Sequence, residues 1–179
     1  MRANVDKYRR LRREVEDSVT SLRKRYSSAK IRPKIFFFAG KNGMKRVFED
    51  VLLSKEKFMR VASNAESIFR NFPGYLPQYI LKRMLKGVRM KGFHHMDAFG
   101  IGLVNNPLYK GDDAIAIPDN LFRFQIDLAI YDDSVSYMSH EKMYGIIIHS
   151  QQFSIVMKQV FDLAWDYANR HALCRTRKM

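Results

Sequence analysis

The last third of the chain sets the tightest limit on what it can fold into. Residues 120–139, Asn-Leu-Phe-Arg-Phe-Gln-Ile-Asp-Leu-Ala-Ile-Tyr-Asp-Asp-Ser-Val-Ser-Tyr-Met-Ser, hold two alternating apolar runs on either side of an Asp-Asp-Ser turn. Period-two alternation interrupted by turn residues predicts an antiparallel hairpin. A third apolar run, Met143 to His149, leads straight into an amphipathic segment from Gln151 to Asn169. That pattern predicts a strand feeding a long helix. On that helix Phe153, Val156, Met157, Val160, Phe161, Ala164, Trp165 and Ala168 follow helical spacing and are expected to form one broad core face.

Upstream, Pro33 stops any preceding helix and opens an extended run, Lys34 to Ala39. Gly40-Lys-Asn-Gly43 reads as a turn, and Met44, Val47, Phe48, Val51 and Leu52 follow helical spacing. A short strand is expected over Lys57 to Ala62, ending at Ser63 and Asn64. A second helix is expected within Phe72 to Lys86, starting after Pro73 or Pro77 and closed by Gly87. A third strand then runs from Val88 to Phe93. Residues 96–112, rich in Gly, Asn, Pro and Asp, read as an irregular loop. Strands alternating with helices at this spacing predict an α/β sheet with crossover connections.

Residues 1–32 differ in kind. Val5, Tyr8, Arg12, Val15, Val19, Leu22, Tyr26 and Ala29 alternate spacings of three and four, the seam of a coiled coil. No Pro or Gly interrupts it before Pro33, so one long helix is expected. Either it forms a homodimer through this seam or it lies along its own domain. The segment holds 11 Lys/Arg and 4 Asp/Glu, half of the formal net charge of +14. Residues 33–174 carry only a net +4, and the tail 175–179 adds +3 through Arg175, Arg177 and Lys178. A basic arm on a nearly balanced domain suits DNA or another polyanion; the alternative is a solvated helix face.

With 179 residues the chain is one domain plus an extension. No apolar run reaches the ~20 residues that span a bilayer, so no membrane partner is expected. Cys174 is the only cysteine, so no intrachain disulfide forms. These features point to the cytoplasm.

Several segments carry a family resemblance. Residues 33–50, Pro-Lys-Ile-Phe-Phe-Phe-Ala-Gly-Lys-Asn-Gly-Met-Lys-Arg-Val-Phe-Glu-Asp, and residues 79–90, Tyr-Ile-Leu-Lys-Arg-Met-Leu-Lys-Gly-Val-Arg-Met, are two of them. The hairpin over 126–139, the strand Tyr144 to Ile148, and Val160-Phe-Asp-Leu-Ala-Trp165 are the others. In this order they resemble the C-terminal effector domain of the TrmB-like transcriptional regulators. The resemblance implies a phospholipase-D-like α/β fold, a mixed sheet flanked by helices, over 33–174. It also implies a preceding dimerisation helix, here 1–32, and a winged helix-turn-helix upstream. No helix-turn-helix precedes the seam, so the chain reads as a fragment or as a relative keeping only the linker and effector parts.

Phospholipase-D-type chemistry uses His-x-Lys-x4-Asp: a nucleophilic His, a Lys that neutralises phosphate oxygens, and an orienting Asp. Setting that Asp on Asp132 places Gln125 at the His position and Asp127 at the Lys position. Gln is no nucleophile and a carboxylate repels phosphate. The other match, His140-Glu-Lys142, has Ile147 where Asp is required. No enzyme activity, catalytic residue or cofactor is therefore expected. His94-His95-x-Asp97 is a weak metal pattern, because adjacent strand residues face opposite ways, and no metal is expected. Lys82, Arg83, Lys86, Arg89 and Lys91 form a basic cluster that suits an anion or a solvated helix face.

The degenerate cleft, with Ser63, Asn64, Arg123, Gln125, Asp127, Ser139 and Glu141 as its candidate residues, is expected to hold a small ligand. Amides and carboxylates of this kind suit sugar hydroxyls, and a solvent-facing Asp127 is the alternative. Three functions stand at this point. One is an effector and dimerisation module sensing a ligand for transcription regulation. The others are a protein binding nucleic acid through its basic arm and an active phosphodiesterase.

Overall fold

The computed structural model describes residues 32–109, 111–171 and 174–175. The chain divides into two units, Met1–Arg32 and Pro33–Met179, and every element below belongs to the second. The predicted seam residues Val5 to Tyr26 lie outside the described residues.

Elements follow in the order β1 (Lys34–Ala39), α1 (Gly40–Val51), β2 (Phe58–Ser63), α2 (Ala65–Asn71), α3 (Tyr75–Leu85), β3 (Arg89–His95) and α4 (Ala98–Val104). A 3-10 turn at Pro107–Tyr109 precedes β4 (Asp113–Ile117), β5 (Ile126–Tyr131), β6 (Ser134–Ser139), β7 (Tyr144–His149), α5 (Gln151–His171) and β8 (Cys174–Arg175). The sheet order is β1-β7-β6-β5-β2-β3-β4-β8. Strands β2, β3 and β4 run parallel, and every other pairing is antiparallel.

Helices α1 to α4 cover one face of this mixed sheet. Met44, Val47, Phe48 and Val51 of α1 join Ile68, Leu76 and Ile80 against Met59, Val61, Met90 and Ala129. Helix α5 covers part of the other face, where Phe161, Trp165 and Ala168 meet Phe93, Ile115, Ile130 and Val135. The apolar spacing of α1, the Asp-Asp hairpin and the β7–α5 succession all appear as expected. Asp132 turns the hairpin in the left-handed region, with φ of 45°, a conformation that Asp adopts more readily than most residues.

Four expectations are corrected. Residues 96–112 are not an irregular loop, because α4 and the 3-10 turn lie within them. Asp97 caps α4 by accepting from Gly100 N at 2.7 Å, and Leu103 and Val104 are buried. Packing thus outweighs the poor helix propensity of two glycines. A Cβ on Gly100 would stand 2.0 Å from the His95 carbonyl oxygen, so glycine is what lets this helix lie against β3. The helix expected within 72–86 is preceded by another, α2, capped by Asn64, whose side chain accepts from Ser67 N at 3.0 Å. β1 does not neighbour β2; it lies at the far edge, paired with β7. On α5 the single broad core face divides: Phe161, Trp165 and Ala168 are buried, whereas Phe153, Val156, Val160 and Ala164 are exposed.

Candidate functional site

The parallel strands β2, β3 and β4 bring their carboxyl ends to one edge, the usual place for a site in a sheet of this kind. Two spaces lie there. One is an open cleft of about 410 Å³, lined by Asn64, Glu66, His95, Asp97, Asp119, Arg123 and Gln125 among others. The other is an internal cavity of about 40 Å³ on the α1–α4 side, lined by Ser63, His94, Asp127, Tyr79 and Tyr109 within an apolar wall.

Alternation along β3 sends its two histidines to opposite faces. His94 turns inward, with Nδ1 3.0 Å from Ser63 Oγ. Burial pushes its pKa down to about 4, against a smaller rise from the Ser63 hydrogen bond. The ring is therefore neutral at pH 7, and its Nε2 has no hydrogen-bond partner among the described residues. Burial likewise holds the Tyr79 and Tyr109 hydroxyls well above their ordinary range, so both stay protonated. His95 turns to the cleft, with Nδ1 2.6 Å from Asp119 Oδ1 and Nε2 2.6 Å from the Phe124 carbonyl oxygen. A carbonyl only accepts, so Nε2 donates to Phe124, while Nδ1 faces the Asp119 carboxylate. The hydrogen bond from His95 holds the Asp119 carboxyl below its ordinary range.

Asp127 neither faces solvent nor reaches the cleft. It is buried on the inner face of β5 with Ala129 and Tyr131. Its Oδ1 accepts from Asn64 N at 2.8 Å, and its Oδ2 lies 2.5 Å from Nε2 of the equally buried His140. Both oxygens are thus committed within the protein. Asp132 stands at the other end of β5 and is committed too. Its carboxylate accepts from Ser54 Oγ at 2.8 Å and from the backbone N–H groups of Lys55 and Glu56. Partial burial raises its pKa, but these hydrogen bonds outweigh that and leave it below the ordinary range. Asp132 therefore ties the hairpin to the turn before β2.

The expected ligand residues divide among three places. Asn64, Arg123 and Gln125 meet at the cleft. Ser63 and Asp127 sit behind it on the inner cavity. Ser139 pairs with Ile126, which puts it on the opposite face of the sheet from Asp127; Glu141 is exposed, and neither lines these two spaces. The expected basic cluster also loses a member. Arg83 is 1% exposed and pairs with Asp112, so it is a core residue and no anion receptor. Sequence reasoning missed His95 and Asp119 in the cleft and His140 beside Asp127. The available signal was the His94-His95 doublet at a strand end, where alternation must send one ring inward and one outward. Among the described residues no cluster of three or more His, Cys, Asp or Glu has the arrangement of a metal site.

No family model matches the chain, and a search by sequence among proteins of described function finds no relative. Comparison with solved structures is informative. The fold is similar to that of TrmBL2. That protein is an archaeal chromatin protein whose structure shows a novel mode of DNA binding. The TM-score is 0.55 at 13% identity, over 93% of this chain and 65% of TrmBL2. The chain therefore spans just under two thirds of TrmBL2, and the likeness is one of fold. NucT from Helicobacter pylori aligns with a TM-score of 0.48 at 10% identity, over 80% of this chain and 99% of that one, too distant to argue from. Among the described residues no helix is long and apolar enough to cross a membrane.

Proposed function

We propose that the chain is a DNA-associated regulatory module that binds without cutting, built on a phospholipase-D-like effector scaffold. The observation that carries this reading is the burial of Asp127 against His140 and the Asn64 backbone. The position that would need a phosphate-binding lysine holds a carboxylate sealed into the core, and Gln125 replaces the nucleophile. The fold shared with a chromatin protein supports the same reading. In it, the basic residues 1–32 meet the phosphate backbone, and their heptad seam joins two copies.

A gel-shift titration tests the DNA part. Duplex affinity is expected to fall about 10³-fold or more between 50 and 200 mM salt if six or more phosphates are neutralised. Changing Arg9, Arg10 and Arg13, which lie off the seam, to Ala should flatten the log–log salt slope by about 3. Binding that ignores salt, or no binding at all, would remove this part of the proposal.

The cleft is the proposed ligand site. The side chains of Asn64, Asp97, Arg123 and Gln125 offer both donors and acceptors, which suits a hydroxyl-rich molecule such as a sugar. Calorimetric titration with mono- and disaccharides is the direct test. Arg123→Ala or Gln125→Ala should weaken a binding sugar about tenfold, equivalent to one lost hydrogen bond. Glu141→Ala should leave it unchanged. Equal affinity in all three variants places the sugar elsewhere.

A further inference from the structure

Helix α5 carries a second apolar row that the core does not use. Phe153, Val156, Val160 and Leu163 follow spacings of three, four and three, the seam pattern of a helix that packs against another. They are 39%, 53%, 51% and 74% exposed. At 3.6 residues per turn this row lies roughly 140° around the helix from the buried row of Phe161 and Trp165. The opposite flank is polar and already occupied. There Asp162 meets Arg60 at 2.9 Å, and Lys158 meets Glu56 at 2.8 Å. Those partners belong to β2 and the turn before it. The free row therefore faces the side where the sheet continues through β6, β7 and β1.

Among the described residues, that part of the sheet also carries exposed apolar side chains. Register places Ile35 and Phe37 of β1 beside Ile148 and Ile146 of β7, on the same face as Val135 and thus as α5. Ile35 is 65% exposed and Phe37 64%. Phe153, Val156, Val160 and Leu163 together with Ile35 and Phe37 put six large apolar side chains in solvent on this side of the sheet, more than the scattered single residues normal on a monomer.

We propose that this surface is a self-association face, in which two copies of the chain pack α5 against α5 about a two-fold axis. Charge favours a second copy as the occupant. The chain is strongly basic at +14, yet the positions flanking the row on the seam are Gln152, Met157, Gln159 and Ala164. Two copies can meet here without bringing lysines or arginines together. This contact is separate from any pairing through residues 1–32, and the test separates the two.

Sedimentation equilibrium is run on the full chain carrying Val15→Asp and Leu22→Asp, which removes the N-terminal seam. That chain is expected to remain a dimer of twice 21.1 kDa. Adding Val156→Glu and Leu163→Glu, both at exposed positions, should halve the mass. A monomer before the α5 changes, or a dimer that they leave intact, would overturn the proposal. As a check independent of folding effects, Val160→Cys in a Cys174→Ser chain should cross-link between copies under mild oxidation. Absence of cross-linking in a folded chain would also overturn it. Loss of the parent's self-association on changing Val15 and Leu22 alone would instead show that the N-terminal seam is the sole contact.

Discussion

Replacing Arg83 with leucine is expected to destabilise the protein by about 3–5 kcal/mol, the usual effect of breaking a buried ion pair from one side. For a chain of this size that corresponds to a fall in Tm of roughly 10–15 °C. Arg83 donates to the Val88 carbonyl at 2.6 Å and to Asp112 through both terminal nitrogens. Asp112 in turn accepts from Met90 N at 2.8 Å. The pair thus locks the end of α3 to the start of β3. Removing the guanidinium strands a carboxylate that is itself buried. Two controls define the effect: Lys82→Leu, at an exposed neighbour, should shift Tm little, and Arg83→Leu with Asp112→Leu should recover part of the loss. A thermal melt of Arg83→Leu within 2–3 °C of the parent would show that the pair contributes no such stability.

The second large effect is a dependence on pH. His94 has a folded pKa of about 4, against an ordinary value of 6.5, because burial disfavours its charged form. Between those values the unfolded chain binds a proton that the folded chain refuses. Stability is therefore intact above pH 6.5 and falls as the pH drops toward 4, by up to about 3 kcal/mol from this residue. Urea midpoints measured from pH 7.5 to 4.5 should decline steeply in the parent. The decline should be much shallower in His94→Asn, which keeps a polar group near Ser63 but cannot take up the proton. Parallel profiles would assign the acid sensitivity to other groups.

Much of the fold was legible because it is written in short-range periodicity. The hairpin about Asp132 and Asp133 and the helix following β7 are fixed by spacing alone. Helix α4 was hidden because two glycines lower its intrinsic propensity, while what holds it is the packing of Leu103 and Val104 into a core whose other members, Val47 and Ile68 among them, are distant in sequence. Helix α5 was legible as a helix but not in its faces. Phe153 and Phe161 are the same residue type at helical spacing, and only the sheet decides which one is covered. The cleft was legible in part. Asn64, Arg123 and Gln125 were found from strand ends, but Asp127 was placed at the rim. Its burial depends on His140, which contacts it across the turn after β6. A carboxylate on a strand reads as solvent-facing until its partner is known.

The position of β1 bears on how this protein is made. Among the described residues β1 pairs with β7 alone, and β7 is the last of the long strands to be synthesised. Until Tyr144 to His149 emerge, Phe36, Phe37 and Phe38 have no sheet to join, while the intervening elements are free to assemble. Translation must therefore carry an unpaired, phenylalanine-rich segment until the whole stretch between Ala39 and Tyr144 has been made, the kind of segment on which chaperones act and from which aggregates start.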